Sequence, residues 1–341
     1  DYVKKVGMES VAITDHGTMS GAIEFYKAAN ASGVRPVIGM ETYVAPRKHT
    51  DRDPSKDKIP FHLILLAMNN QGYENLMRLS SIANLDGFYY KPRVDHDLLE
   101  KYNEGLIVLS GCIGGEIGDA LRNDQYEQAK KTAEWYKSVF GDRYYIEIQD
   151  HGHPKHQSRW DEQVAVTEQS FKLAKELDIQ CALTCDAHYL THADQEAHEL
   201  LLCVQTGSFL SDEKRMSLKE FELHVTDPNE IIARWGEEHP EVITNTKAIA
   251  DRCSVNITLG QILIPKFPVP VGETESSHLH KWVYQGLAWR YGGVSQEDAA
   301  KLTIPLCKKT LPKAILERAE YELSVIKEMG FNGYFLIVAD F

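Results

Sequence analysis

The amino-acid sequence predicts an α/β barrel or barrel-like domain followed by a mainly helical segment that opens a second domain. Two observations carry this. Short runs rich in Val, Ile and Leu alternate with helical patterns from the first residues to about residue 260, as in βα units built around a buried, mostly parallel sheet. The alternation then stops at residues 262–272 (ILIPKFPVPVG), where three prolines fall within six positions. The expected organisation is one domain over residues 1–261, a proline-rich linker over 262–275, and the truncated start of another domain over 276–341.

Residues 1–10 read as the last turns of an amphipathic helix stopped by Gly7, so the sequence is expected to begin inside a fold, with its first strand missing. An apolar run at 11–14 (VAIT) precedes a helical pattern at 21–31, and a second run at 36–45 leads through a polar loop to a third at 61–67. A helix is expected at 74–85, an apolar run at 105–110, two helical stretches up to 140, and a further run at 144–148. A long helix at 161–177, a run at 179–184 and a helix after His192 complete the alternation. Proline removes amide donors and fixes φ, so the linker is expected to be extended. Beyond it, residues 277–290 and 312–329 are helical in pattern, and GFNGYFLIVADF is a glycine-punctuated turn entering an apolar strand or helix.

Composition bounds the function. The 341 residues carry 37 Lys+Arg against 50 Asp+Glu, a net charge of −13, which argues against a free-standing nucleic-acid binder. No apolar run reaches the length of a membrane span and no export signal is evident, so the cytoplasm is the expected compartment. The cysteines, Cys112, Cys181, Cys185, Cys203, Cys253 and Cys307, show neither CxxC pairing nor regular spacing, against a disulfide framework or a zinc ribbon. The charge is unevenly placed: residues 266–341 hold 9 basic and 9 acidic residues, so the whole excess lies before them, with 12 of the 14 histidines. Acid and histidine concentrated in one part of a chain point to metal.

In α/β barrels functional side chains gather where strands end. Those positions here hold Asp15 and His16 after VAIT, Glu41 late in PVIGMETYV, Cys112 after IVLSG, and Asp186 and His188 after CALT. Singly, each reads as a packed or capping residue; together they would bring carboxylate, imidazole and thiolate into one mouth. Such a set suits Zn²⁺, Mn²⁺ or Fe²⁺ and the hydrolysis of phosphate esters. His62 joins them if residues 37–46 and 60–68 pair as a hairpin, and is otherwise a half-buried strand histidine. His151 and His153, in IQDHGHPKH, either line the same mouth or belong to a solvated loop. Two Asp-x-Asp pairs have the spacing of metal-holding carboxylates but read structurally: Asp51 and Asp53 in a solvated connector, Asp95 and Asp97 at a helix N-terminus.

The stretches AITDHG (12–17), IGMETYVAP (38–46), FHLILLAMNNQGYENLMRL (61–79), LSGCIGGEI (109–117), CDAHYL (185–190) and MGFNGYFLIVADF (329–341) resemble the N-terminal part of the bacterial replicative C-family polymerases, the DNA polymerase III α subunits. The first part is similar to their PHP (polymerase and histidinol phosphatase) domain, the last motif to the opening of their palm. The resemblance implies a distorted seven-stranded (β/α)7 barrel holding up to three metal ions. It implies His16, Glu41, His62, Cys112, Asp186 and His188 as ligands, Glu41 bridging two ions, and Asp15 orienting His16. It further implies a metal-dependent 3′–5′ exonuclease in a parent DNA-directed DNA polymerase. The parent's synthesis would use Mg²⁺ held by aspartates outside these residues. Its partners would be DNA, deoxynucleoside triphosphates, a proofreading exonuclease subunit, the sliding clamp and other replisome subunits. Two alternatives stand beside it: an independent phosphoesterase of the histidinol-phosphatase type, and a non-catalytic scaffold that docks a separate exonuclease.

Overall fold

The computed structural model describes residues 1–152, 157–261 and 263–341. The chain divides into two compact units, Asp1–Ile257 and Thr258–Phe341.

In the first unit, helix α1 (Tyr2–Lys5) leads into β1 (Ser10–Ile13), and α2 (Ala22–Ser32) into β2 (Arg35–Val44). Strand β3 (Phe61–Ala67) is followed by α3 (Asn70–Leu85), the short β4 (Phe88–Tyr89) and β5 (Lys91–Val94), then α4 (His96–Lys101) and β6 (Leu106–Leu109). Helices α5 (Glu116–Arg122) and α6 (Tyr126–Phe140) precede β7 (Tyr144–Gln149), and α7 (Gln157–Leu177) precedes β8 (Gln180–Thr184). Helices α8 (Gln195–Thr206), α9 (Pro228–Trp235) and α10 (Pro240–Arg252) close the unit.

The strands form one sheet in the order β4-β5-β2-β3-β6-β7-β8, with β1 beside the first half of β2. The barrel-like α/β architecture expected from the sequence is the one found. All pairings are parallel except those made by β3 with β2 and β6, and by β4 with β5. Strands β6 and β7 are buried along their whole length, as a sheet covered on both faces requires. The sheet curls without closing: a largely apolar groove of about 560 Å³ lies between β1 and β8, lined by Val11, Val37, Leu66, Leu109 and Ala182.

Period-two alternation sorts the side chains. One face carries Met40, Leu65, Val108 and Ile146 against α3, α5, α6 and α7 in the larger core. The other carries Val37, Leu66, Ile107, Leu109, Tyr145 and Ala182 against Ile249 and Cys253 of α10 and the residue after it. Continuing along this second face toward the C-terminal ends of the parallel strands, the residues turn polar: Glu41 on β2, Glu147 on β7, Thr184 on β8. Strand β3 runs the other way, so its second residue, His62, opposite Tyr43, reaches the same end.

One expectation changes and one is met. The loop 46–60 is not simply solvated: Asp57 is fully buried and takes both a Nε and a terminal nitrogen of Arg47 at 2.9 and 2.6 Å. Asp95 does cap α4, accepting from Leu98 N at 3.0 Å, and its other oxygen holds His49 at 2.6 Å.

The second unit is helical: α11 (Glu275–Tyr291), α12 (Gln296–Ala299), α13 (Ile304–Thr310), α14 (Lys313–Glu328) and α15 (Asn332–Asp340). The closing apolar run is therefore helix, not strand. Leu279, Tyr284, Ala288, Cys307, Leu323 and Leu336 form its own core. Thr274 caps α11 reciprocally with Ser277, which fixes where the extended stretch ends. No helix among the described residues is long and apolar enough to cross a membrane.

Candidate metal centre

Glu41 is the hub. It is buried, and its two oxygens face two imidazoles: Oε2 stands 3.1 Å from His16 Nδ1 and Oε1 2.8 Å from His62 Nδ1. The ligand atoms of these three residues lie within 4.8 Å of one another. Local folding places each. Glu41 extends the Val37 face of β2, His16 follows β1 and bridges back to Glu41 in parallel, and the antiparallel register of β3 returns His62 beside Tyr43. The hairpin on which His62 depended is thus formed.

Cys112 joins from the turn after β6, its Sγ 3.5 Å from His62 Nδ1. That turn needs glycine: Gly111 has φ of 82°, and a Cβ there would come within 2.5 Å of the His62 carbonyl oxygen. His62 carries two opposed influences. Burial favours its neutral form, but hydrogen bonds and attraction from Cys112 and Glu41 outweigh it and push the ring up to about 10.

Asp186 and His188 approach from the end of β8. The His188 ring lies 6.1 Å from that of His16. Its Nδ1 is 2.7 Å from the Asp186 carbonyl oxygen, which can only accept, so the proton sits on Nδ1 and Nε2 is free to ligate. Asp186 adopts φ of 46°, a costly conformation for a non-glycine residue that directs the chain into the mouth. Burial works against its ionisation, yet His151, His188 and His16 hold it below the usual carboxylate range.

Asp15 is not where orienting His16 would put it. Its side chain is exposed and turned toward the start of α2, where a Cβ on Gly21 would sit 3.0 Å from its Oδ2, while Glu41 faces His16 Nδ1. His151 does not lie in a solvated loop: it is buried, with Nε2 3.6 Å from Asp186 Oδ2. Neither of its ring nitrogens has a hydrogen-bond partner among the described residues. His153 lies outside the described residues.

Glu147 was missed by sequence reasoning. Buried on β7, it accepts from Thr184 Oγ1 at 2.6 Å, Gly111 N at 3.1 Å and Gln149 Nε2 at 3.2 Å, tying the Cys112 turn to the end of β8. Burial pushes it up to about 7, opposed by the Thr184 and Gln149 hydrogen bonds and reinforced by Asp186 and Glu41. Its signal was a lone acid inside an apolar strand, YYIEIQ. The other five cysteines are free, and burial pushes the Cys181 thiol up to about 12 and that of Cys253 to about 11.

Two imidazoles, a bridging carboxylate and a thiol within reach form a mixed N/O/S donor set that fits a divalent transition metal. Asp186 and His188 offer further donors on the opposite wall.

Residues 1–151 match the PHP domain family, and residues 277–341 match the family described as the bacterial DNA polymerase III alpha NTPase domain. Among relatives named DNA polymerase III subunit alpha, that of Borreliella burgdorferi is 39% identical over 341 residues, covering 99% of this chain and 28% of the relative. That of Thermus aquaticus is 39% identical over 389 residues, covering 100% of this chain and 31% of the relative. That of Treponema pallidum is 40% identical, covering 99% and 27%. The chain thus spans less than a third of the length of these curated relatives.

Proposed function

The chain belongs to the family of bacterial DNA polymerase III α subunits, and from that premise we propose that its first 261 residues are a PHP domain that binds divalent metal and hydrolyses phosphodiesters in the 3′–5′ direction. In this reading residues 276–341 open the palm of a replicative DNA polymerase, and the PHP domain removes nucleotides from a 3′ end. The observation that carries it is Glu41 placed between His16 and His62. Cys112, Asp186 and His188 are the remaining ligands, and His151 lies against Asp186 with Nε2 3.6 Å from its Oδ2. The family match over residues 277–341 weighs against a free-standing phosphoesterase.

Zinc, manganese or iron, when bound, supplies Lewis acidity and acidified water for attack on a phosphate ester. The protein's part is arrangement. Glu41 presents one oxygen to each imidazole, so both of its oxygens are aimed into the donor set. Glu147 holds the Cys112 turn and β8 in register through Gly111 N and Thr184 Oγ1. The His188 Nδ1 bond to Asp186 fixes which nitrogen faces the mouth.

The test is metal content and nuclease activity of the full-length protein purified without chelators. Wild type is expected to carry at least one equivalent of divalent metal and to shorten a 5′-labelled single strand. Glu41→Gln is expected to lose both, with its melting curve recorded to exclude misfolding. A wild type that takes up no metal overturns the reading; one that takes up metal without hydrolysing DNA leaves the scaffold alternative.

A further inference from the structure

Beside the metal centre, the β4–β5 hairpin (FYYKPRV, residues 88–94) combines exposed aromatic rings with cations that have no acidic partner among the described residues. We propose that this hairpin is a binding subsite for single-stranded nucleic acid, with bases stacking on Phe88 and Tyr90 and phosphates meeting Lys91 and Lys58. The inference rests on the proposed hydrolysis of phosphodiesters at the adjacent cluster and names how the strand reaches it.

Position is the first argument. Strand β5 lies alongside β2 with Arg93 opposite Tyr43. Pro92 packs against the residue after His16: a Cβ on Gly17 would come within 2.8 Å of Pro92 Cγ. The Lys91 ammonium lies 5.5 Å from the centre of the Tyr43 ring, and that ring is 5.3 Å from His62 and 6.1 Å from His16. Cation, aromatic face and metal ligands therefore follow one another at side-chain spacing.

Exposure and charge are the second. Phe88 is 52% and Tyr90 60% exposed, and Lys58 stands 5.6 Å from the centre of the Tyr90 ring. Neither Lys58 nor Lys91 pairs with a carboxylate among the described residues. The acids of the neighbouring loop are already engaged: Asp57 and Asp51 by Arg47, Asp53 by the hydroxyl and amide of Ser55. Two lysines resting on rings without counter-charge suit a polyanion whose flat bases alternate with phosphates. A duplex hides its base faces and would gain only the charge.

Rigidity is the third. Arg93 is fully buried yet pairs with no carboxylate among the described residues. Its guanidinium donates to the carbonyls of Gly87, Asp57, His49 and Asp51 at 2.8–3.1 Å, while Tyr89 covers it at 5.1 Å. One side chain thus fastens the loop that carries Lys58 to the hairpin that carries Lys91. At the hairpin tip Tyr90 has φ of 60°, a strained conformation for a bulky residue that the paired strands hold in place. A rigid, strained tip that exposes its ring is pre-organised for stacking.

The test is fluorescence anisotropy of labelled oligothymidine, oligouridine and a DNA duplex with the 341-residue chain in EDTA, which takes the metal centre out of the measurement. Single strands are expected to bind more tightly than duplex; a preference between DNA and RNA shows whether the sugar is read, and equal binding assigns recognition to base and phosphate. Tyr90→Ala and Phe88→Ala are each expected to weaken binding about 5- to 150-fold, whereas Tyr90→Phe keeps it. Lys91→Gln is expected to lower the slope of log affinity against log salt by about 0.7, and Lys131→Gln on α6 to change neither. Absence of single-strand binding by wild type, equal binding of duplex, or wild-type affinity in both Tyr90→Ala and Lys91→Gln overturns the subsite. Tyr90-dependent binding without hydrolysis after metal is restored keeps the subsite and removes the hydrolytic reading. Hydrolysis indifferent to Tyr90 and Lys91 does the reverse.

Discussion

His62 sets the pH behaviour of the cluster. Its pKa in the fold, about 10, lies above the ordinary 6.5 because Cys112 and Glu41 outweigh burial. A raised value in the folded state means that the ring's charged contacts stabilise fully below about pH 6.5 and are lost as pH climbs toward 10. A metal ion must displace that proton, so affinity for Zn²⁺ or Mn²⁺ is expected to rise up to tenfold per pH unit between 6.5 and 8.5. Calorimetric titration at several pH values checks this, and a flat profile contradicts it. His16, Glu41, Cys112, Asp186 and His188 stood out in sequence because each lies after or late in an apolar run, a local property. His62 did not, because its place depends on strand direction and register, which no single run encodes. Glu147 escaped because its partners, Gly111 in the turn after β6 and Thr184 on β8, come from other parts of the chain.

Among the elements, α3 shows how backbone approach overrides propensity. Alanine at a helical glycine ordinarily stabilises by roughly 1 kcal/mol. At Gly72 a Cβ would lie 1.9 Å from the Gly105 carbonyl oxygen, and Gly105 itself has φ of 71°. Gly72→Ala is accordingly expected to destabilise by roughly 1–3 kcal/mol through overpacking, read as a lower urea midpoint with an unchanged slope. Unchanged or increased stability would contradict the packing. The same contact explains where the sequence reading fell short. It began this helix at residue 74, whereas Asn69 caps it and the helix starts at Asn70, through a polar, glycine-containing turn without apolar periodicity. Most strands were placed within a residue because β-branched and leucine runs mark them. The β4–β5 hairpin has too few residues for any periodicity to appear.

At the scale of the whole molecule, two units with separate apolar cores imply two cooperative units. Among the described residues, 253–274 contain no helix or strand, and each side of that stretch packs its own apolar set. Calorimetry of the 341-residue chain is expected to resolve two transitions, and mild proteolysis to cut within residues 258–274 and leave a folded product near residues 1–257; one transition for the whole chain would contradict this. The proline cluster made that stretch legible in sequence, and the uneven charge pointed to the acidic unit as the place for metal. The reversed course of β3 has a further consequence for assembly. His16, Glu41 and His62 come together from β1, β2 and β3, which follow one another along the chain, whereas Cys112 and Asp186 arrive on later strands that must each find their own place. Under the proposed function, a growing chain would gain a three-toothed clasp early and its full grip last, so the tightness with which it holds an ion is a gauge of how much of the sheet has been built.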